Sequence, residues 1–405
     1  MQGNYKFKDK IIEFKFDVGT LLFNPYTLKK MLKHSEKISD SDLDVLKKSE
    51  FTLEKPEVKK YRVEITFQCN CACDYCLVYK NKVLQIGERM GLETAKKIVE
   101  DFNKNVPGGS FMIIGGEPLL NKEVLNYFLD NVNGKISIFT NAILVDKDYA
   151  ERLAKSNVRV FVSLDGWEEL NFHRKDLGGK PCYKKTLEGY KLLRKAGAKT
   201  AITCLATRDN QQHLFDIVKY FHTAFGETNF GISIPHYTKE SNFSVDIKEY
   251  TSQMIKIFDY AKKNSIYVDQ IAKRLLAIVT NKPRYYSCKI AGEQVTFYPL
   301  GEKTLCTKLD TLLGFKGKPA EFYEQQLPYN SLDCLKCAAI GICGGGCFWD
   351  ALFNNSKRDV RDCYFNKKIL YKILEDISIN SPKNKILSEG DLIKSYAGML
   401  GKLIQ

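Results

Sequence analysis

The sequence predicts an α/β fold: a parallel sheet with helices outside it, preceded by a small α+β module and followed by a cysteine-rich segment. Two observations predict it. Between residues 61 and 236 short apolar runs alternate with amphipathic helical patterns, and repeated strand–helix units imply parallel strands joined by crossover helices. The 13 cysteines are clustered, none before Cys69 and none after Cys363, and ten of them fall into spacings typical of metal sites.

At 405 residues the chain is long enough for two or three domains, and a hydrophobic content of 44% is enough for a core. No run of about eighteen apolar residues occurs, so no membrane-spanning helix is expected. The start, Met1-Gln2-Gly3-Asn4-Tyr5-Lys6, is polar and has no apolar signal core, so the expected location is cytoplasmic. In that compartment clustered cysteines argue for metal rather than disulfides. The net charge of +14 suits nucleic acid, an anionic membrane or an acidic peptide, but lysine is spread along the chain without a compact block and reads equally as a solvated surface.

Residues 1–60 read as the separate module. Ile12, Phe14, Phe16 and Val18 alternate with polar residues as in a half-buried strand, Gly19-Thr20 turns, and Leu21-Leu22-Phe23 pairs back as a hairpin. Leu28, Met31 and Leu32 sit at helical spacing, and a second helix starts near Ser41 with Leu43 and Leu46 inward. Residues 61–236 supply the strands Arg62–Phe67, Phe111–Ile114, Ile136–Thr140, Arg159–Ser163, Thr200–Ala206 and Asn229–Ile234. Helical patterns between them include Leu92–Phe102, Lys122–Phe128, Tyr183–Ala196 and Gln211–Phe221. Residues 237–287 form a helical bridge, Tyr250–Lys263 and Asp269–Thr280, with Met254, Ile257, Phe258 and Ala261 on one packing face. After residue 365, Ile369, Leu370, Ile373, Leu374 and Ile377 mark one packing helix; Leu392, Ile393, Tyr396, Met399, Leu400 and Leu403 mark another. Both are expected to close the open side of the sheet.

Two motifs carry the chemistry of the first half. Cys69, Cys73 and Cys76, with Cys71 skipped, give C-x3-C-x2-C on a loop directly after a strand. Three thiolates on one loop can hold three irons of a [4Fe–4S] cube, which needs four ligands; the open iron can chelate an amine and a carboxylate. Gly115-Gly116-Glu117-Pro118 follows the next strand, and paired glycines permit close backbone approach to a ligand. Structural zinc on the thiolates is the alternative.

Together, in this order and with Tyr75 before the last cysteine, these motifs resemble the radical S-adenosylmethionine (SAM) superfamily. The resemblance implies an open, TIM-like (β/α)6 partial barrel with ligands at the C-terminal strand ends. It implies SAM on the open iron, its methionyl amine bound by Gly115, Gly116 and Glu117, and reductive cleavage to a 5′-deoxyadenosyl radical. It also implies Ser163 on the ribose and Arg174 on the carboxylate, chemistry that a hydroxyl and a guanidinium fork suit. The alternative is that Ser163 and Asp165 cap a turn and Arg174 makes a surface pair. The third strand ends at Thr140-Asn141, and Leu205–Thr207 are read as an adenine wall.

The second array is Cys288, Gly301-x4-Cys306, Cys334-x2-Cys337-x5-Cys343-x3-Cys347 and Cys363. It resembles the SPASM extension of the same superfamily at every spacing. Seven thiolates are one short of filling two four-iron clusters. The resemblance assigns Cys334, Cys337, Cys343 and Cys363 to the second auxiliary cluster, and Cys288, Cys306 and Cys347 to the first, whose last iron is open or held by a ligand the sequence does not identify. That makes three [4Fe–4S] clusters in all, with residues 288–365 as an iron–sulfur domain. Gly341, Gly344, Gly345 and Gly346 permit the tight backbone that wraps a cluster. Cys71, Cys182 and Cys204 receive no role.

The N-terminal module resembles a reduced winged-helix-like leader-peptide recognition element, which takes its peptide as an added strand; a cap on the barrel is the alternative. The implied function is maturation of a ribosomally made precursor peptide carrying a leader, by hydrogen abstraction and cross-linking, as in thioether-forming sactipeptide and ranthipeptide synthases. A flavodoxin or ferredoxin would supply electrons, with no nucleic acid or membrane partner. The runner-up is an anaerobic sulfatase-maturating enzyme. Such enzymes begin near the first motif and place an aspartate after the second SPASM cysteine, where this chain has Thr307, with Asp310 nearby. A third class, a non-enzymatic zinc adaptor for nucleic acid, lacks aromatic–basic interleaving on one element. No general acid or base is identified.

Overall fold

The computed structural model describes residues 3–5, 10–33, 38–47, 51–53, 57–77, 88–237, 243–284, 286–287, 292–304, 306, 328–356, 358–380 and 388–404. The N-terminal module consists of β1 (Gly3–Tyr5), β2 (Ile12–Phe16), β3 (Gly19–Phe23), β4 (Lys30–Lys33), α1 (Asp40–Lys47) and β5 (Phe51–Leu53). β2, β3 and β4 form an antiparallel three-stranded sheet, and β1 pairs with β5. The hairpin follows the sequence alternation, with Phe14 opposite Leu21. The helix expected around Leu28, Met31 and Leu32 is instead a turn and a strand. Asn24 Oδ1 accepts the backbone N–H groups of Tyr26 (2.9 Å) and Thr27 (3.2 Å), an Asx turn that competes with helix. Leu28 sits at φ 60°, and Met31 and Leu32 then pair with Leu22 and Leu21. Three apolar residues cannot separate the two periods, and pairing to a strand already formed decides between them.

This module shares its core with the rest of the protein. Leu21, Phe23, Leu28 and Leu32 are buried in the same cluster as the barrel residues. Lys30 is 2% exposed, and its ammonium donates to Ile278 O (2.5 Å), Asn281 Oδ1 (2.8 Å) and Leu28 O (3.0 Å). Tyr26 OH donates to Leu335 O at 2.5 Å, inside the cysteine-rich segment.

The barrel runs β6 (Lys60–Glu64), α2 (Leu92–Asn105), β7 (Ser110–Ile114), α3 (Lys122–Asn131), β8 (Lys135–Thr140), α4 (Lys147–Lys155), β9 (Val158–Ser163), α5 (Tyr183–Lys195), β10 (Lys199–Leu205), α6 (Leu214–Phe225) and β11 (Asn229–Ser233). These six strands are parallel and neighbour one another in chain order. Val158, Val160 and Val162 point into one buried layer, while on the opposite face Phe139 and Phe161, in register, stack at 4.5 Å. The sheet then extends beyond the sequence reading. After α7 (Ile247–Asn264), β12 (Tyr267–Val268) pairs with β11, and α8 (Asp269–Val279) follows. At the other edge β13 (Gln294–Phe297) adds parallel to β6, and β14 (Lys303–Thr304) adds to β13. Part of the cysteine-rich segment is thus sheet.

The remainder is helical: α9 (Leu332–Leu335), α10 (Ile340–Cys343), α11 (Phe348–Phe353), α12 (Val360–Asn380) and α13 (Glu389–Leu400). α12 buries Ile369, Leu370, Ile373, Leu374 and Ile377, as its periodicity requires, and packs on α7. α13 buries Leu392, Tyr396, Met399 and Leu400 against α8 and β12, covering the sheet edge that begins at β12.

Candidate active site and metal centres

The loop carrying Cys69, Cys73 and Cys76 leaves the C-terminal end of β6, and all three thiols are half-buried. It is stitched to the loop after β9: Ala72 N–H donates to Lys175 O (2.8 Å) and Asp74 N–H to His173 O (3.0 Å). His173 also bridges two carboxylates, with Nδ1 3.0 Å from Asp74 and Nε2 2.8 Å from Asp209. Sequence reasoning missed this clasp, because residues from three different strand ends make it. The hydrogen bond from Cys71, aided by the Arg174 guanidinium, lowers the Cys73 thiol to about 7 against its burial. The thiolate is the metal-binding form, so this environment suits a ligand.

The glycine pair performs a task the sequence did not reveal. A Cβ on Gly115, which has φ 151°, would lie 2.2 Å from Thr66 O, and one on Gly116 would lie 2.1 Å from Gln68 O. What the glycines approach is the backbone leading into the cysteine loop. Gly116 N–H donates to Thr66 O (2.7 Å) and Glu117 N–H to Gln68 O (2.8 Å), zipping the two strand-end loops together. Glu117 is 1% exposed; its carboxylate accepts from Leu119 N–H (3.0 Å), Thr140 Oγ1 (2.7 Å) and Asn141 N–H (2.7 Å). Burial raises its pKa to about 6 despite these donors. Asn141 then reaches Asn70 Oδ1 at 2.7 Å and Cys71 Sγ at 3.3 Å.

Arg174 is not on the surface. Its Nη2 pairs at 2.9 Å with Asp165, itself 2% exposed, and Asp165 also accepts Leu205 N–H (2.8 Å) and the Tyr75 hydroxyl. Arg174 Nε is buried without a hydrogen-bond partner. A buried unsatisfied N–H is costly, and a carboxylate would satisfy it; on this observation the residues fit SAM. Ser163 lies opposite Thr203, with hydroxyls 3.5 Å apart. Ala206 and Thr207, at the end of β10, are buried. Cys71 and Cys182 are both buried, with sulfurs 3.7 Å apart, and Cys204 is a buried strand residue.

In the second array Cys363, in the first turn of α12, comes close enough to interact electrostatically with Cys334 of α9, Cys337 between α9 and α10, and Cys343 at the end of α10. Burial, then the neighbouring thiols of Cys334 and Cys337, raises the Cys363 thiol. Burial pushes Cys343 up to about 12. Thiols crowded in this way repel one another as thiolates unless cations neutralise them, so the set fits a metal cluster. Asn366 Nδ2 donates to Cys343 Sγ at 3.4 Å. Gly344, Gly345 and Gly346 all have positive φ, and a Cβ on Gly344 would lie 2.3 Å from Ser287 N. Cys306 is half-buried, whereas Cys288, Thr307 and Asp310 lie outside the described residues.

Cys347 immediately precedes α11. Its sulfur is 3.7 Å from His236 Nδ1, beyond the end of β11. Beside them is a cavity of about 220 Å³ lined by Ser233, Tyr250, Gln270, Arg274 and Asp362.

Residues 63–221 match the model of the radical SAM superfamily. The chain carries a radical SAM domain. It is 24% identical over 331 residues to the radical SAM cyclopropyl synthase TigE of Paramaledivibacter caminithermalis, covering 72% of this chain and 68% of that one. It is 26% identical over 322 residues to the cysteine-type anaerobic sulfatase-maturating enzyme of Clostridium novyi, covering 69% and 84%. The fold superposes on Streptococcus suis SuiB bound to precursor peptide SuiA with a TM-score of 0.55 at 17% identity, covering 89% of this chain and 99% of SuiB. The matching domain and these relatives are those of enzymes, which speaks for an enzyme over a non-enzymatic zinc adaptor. Among the described residues no helix is long and apolar enough to cross a membrane.

Proposed function

We propose that this radical SAM enzyme matures a ribosomally synthesised precursor peptide, installing a cross-link such as a thioether from cysteine. The cofactors supply a 5′-deoxyadenosyl radical that abstracts a hydrogen from the peptide; the protein supplies binding, orientation and exclusion of water. Cys69, Cys73 and Cys76 hold the first [4Fe–4S] cluster. Gly115, Gly116 and Glu117 form the loop that meets the methionyl amine, Ser163 contacts the ribose, and Arg174 offers its unsatisfied Nε to the SAM carboxylate. Cys334, Cys337, Cys343 and Cys363 hold one auxiliary cluster; Cys288, Cys306 and Cys347 contribute to another. A flavodoxin or ferredoxin delivers the electron.

One observation carries the peptide reading. The β2–β3–β4 sheet is anchored by Lys30 to the end of α8 and by Tyr26 to α9, so its edge strand β2 is held in a set position relative to both barrel and cysteine array. An edge strand fixed in this way suits a leader peptide added by β-augmentation. The structural likeness to SuiB with its precursor peptide supports the same reading. Co-expression with any short reading frame found beside this gene, followed by mass spectrometry, tests it: a loss of two hydrogens per cross-link is expected. An unmodified peptide beside an enzyme that forms 5′-deoxyadenosine would refute it.

The second reading, sulfatase maturation, is favoured by the similarity to the Clostridium novyi enzyme. It predicts conversion of a cysteine in a sulfatase-derived peptide to an aldehyde, which the same instrument detects.

A further inference from the structure

We propose that the cavity at the C-terminal end of β11 is a substrate subsite. It holds one residue of the peptide by its backbone amide, with Arg274 donating to the carbonyl oxygen and Asp362 accepting the N–H. The inference rests on reading the substrate as a peptide, which both readings above share. The cavity measures about 220 Å³. That is below the roughly 300 Å³ at which drug-sized pockets begin, so it suits a single residue.

Two polar side chains of the cavity wall have hydrogen-bonding capacity left. Arg274 is 8% exposed. Its Nε donates to Asn366 Oδ1, its Nη1 donates to Gln270 O (2.7 Å), and its guanidinium lies 4.6 Å over the Phe365 ring. Nη2 makes no hydrogen bond among the described residues; it lies 3.8 Å from Asp362 Oδ1, an ion pair longer than a hydrogen bond. The Asp362 carboxylate likewise accepts no hydrogen bond among the described residues. The other acids of the wall are engaged, for Asp350 and Asp359 both pair with Arg361, at 3.2 Å and 2.9 Å.

A fixed guanidinium with one open nitrogen, beside a carboxylate with no donor, complements a group that carries an acceptor and a donor side by side. A free carboxylate would be repelled by Asp362, and an amine by Arg274. A neutral amide satisfies both, and leaving either without a partner when the cavity fills is costly. The other three contacts of Arg274 already hold it in place, so little side-chain freedom is lost on binding. Ile234, Ile247 and Phe365 supply an apolar wall for the bound residue's side chain.

The position also suits a substrate. Ser233, in the cavity wall, pairs in register with Leu205, and its carbonyl accepts Ala206 N–H at 2.8 Å. Leu205–Thr207 are the residues expected to wall the adenine of SAM, so a residue held in the cavity lies one strand away from that site. A metal centre at Cys347 is the competing occupant, but Cys347 supplies the single thiol among the described residues of the wall.

The test uses the full chain, loaded with its clusters anaerobically, oxidised and saturated with SAM. The probe is N-methylisovaleramide, a single secondary amide carrying a leucine-like group, titrated by saturation-transfer NMR. Saturable binding is expected. Methyl isovalerate, the ester without the N–H that Asp362 accepts, should bind about tenfold more weakly. Asp362→Ala should abolish that preference, which a merely structural aspartate would leave intact. Ser233→Phe, at an exposed position, fills the cavity and should remove binding with iron content unchanged. Isovaleramide, a primary carboxamide, lacks the methyl that meets the apolar wall and should bind more weakly than the probe. Tighter binding of isovaleramide would assign the cavity to an asparagine or glutamine side chain and overturn the backbone reading. No binding to the loaded enzyme, equal binding of amide and ester, or binding that survives Ser233→Phe would overturn the proposal alone, provided that a precursor or sulfatase peptide is still modified. Should neither peptide be modified, the peptide reading fails with it.

Discussion

Gly116→Ala isolates the contact that joins the two signature loops. Gly116 does not have the positive φ that would strain alanine, so its cost is purely steric. The added Cβ would sit 2.1 Å from Gln68 O, 2.6 Å from Gln68 C and 2.8 Å from Phe67 O. All three are backbone atoms, so no side chain can swing aside. The loops must part, losing the bonds Gly116 N–H to Thr66 O (2.7 Å) and Glu117 N–H to Gln68 O (2.8 Å). Two hydrogen bonds at about 1 kcal/mol each, added to about 1–3 kcal/mol for overpacking, give about 3–5 kcal/mol. Cys69 directly follows Gln68, so the same movement displaces a proposed cluster ligand. Anaerobic calorimetry should show the unfolding midpoint lowered by roughly 5 °C. Iron analysis should show loss of about one four-iron cluster, with 5′-deoxyadenosine formation falling in step. Gly390→Ala is the control: nothing lies within 4 Å of its Cβ, and on a helix the change should be neutral or stabilising by up to about 1 kcal/mol. A Gly116→Ala protein that keeps wild-type iron content and melting would refute the argument.

Other changes separate binding, potential and stability. Arg174→Lys keeps one charge for Asp165 but removes the Nε donor, so SAM affinity should fall by about tenfold in calorimetric titration, with little change in melting. Asn366→Leu deletes the donor at 3.4 Å from Cys343 Sγ and should lower the potential of that cluster in an EPR-monitored titration. Lys30→Met tests a buried ammonium whose pKa burial lowers from 10.5 to about 7. Between those values the unfolded chain binds a proton that the folded chain does not. This residue's contribution to stability therefore rises as pH increases from about 7 to 10.5 and falls as pH decreases. The methionine variant should show a flatter dependence of unfolding free energy over that window; an unchanged slope would show that Lys30 stays charged in the fold.

The sequence was most informative where structure repeats locally. Period-two and helical patterns marked all six barrel strands within three residues, the first (Arg62–Phe67 expected, Lys60–Glu64 found) being the least well placed, and α12 and α13 by the faces they bury. They failed at β4, where Leu28, Met31 and Leu32 span barely one helical turn and an Asx turn at Asn24 competes. They were silent on β13 and β14, four and two residues long, which are strands because β6 offers an edge. The cysteines and the glycine pair were legible as motifs, since their spacing on one loop is itself the chemistry.

What the chain alone determined, then, was the parallel α/β architecture and the ligand types: thiolates at set spacings, a glycine pair, a serine and an arginine at strand ends. The folded molecule decided which of these meet. His236 and Asp350 are 114 positions apart, Cys71 and Cys182 are 111, and Tyr75 and Asp165 are 90. Hydrophobic periodicity records which face of its own element a residue occupies, and nothing about a partner brought there by the closing of a sheet. Only the tertiary structure could show that Arg174 is half-buried against the buried Asp165 rather than paired at the surface, and that His236, a residue with no motif, meets Asp350.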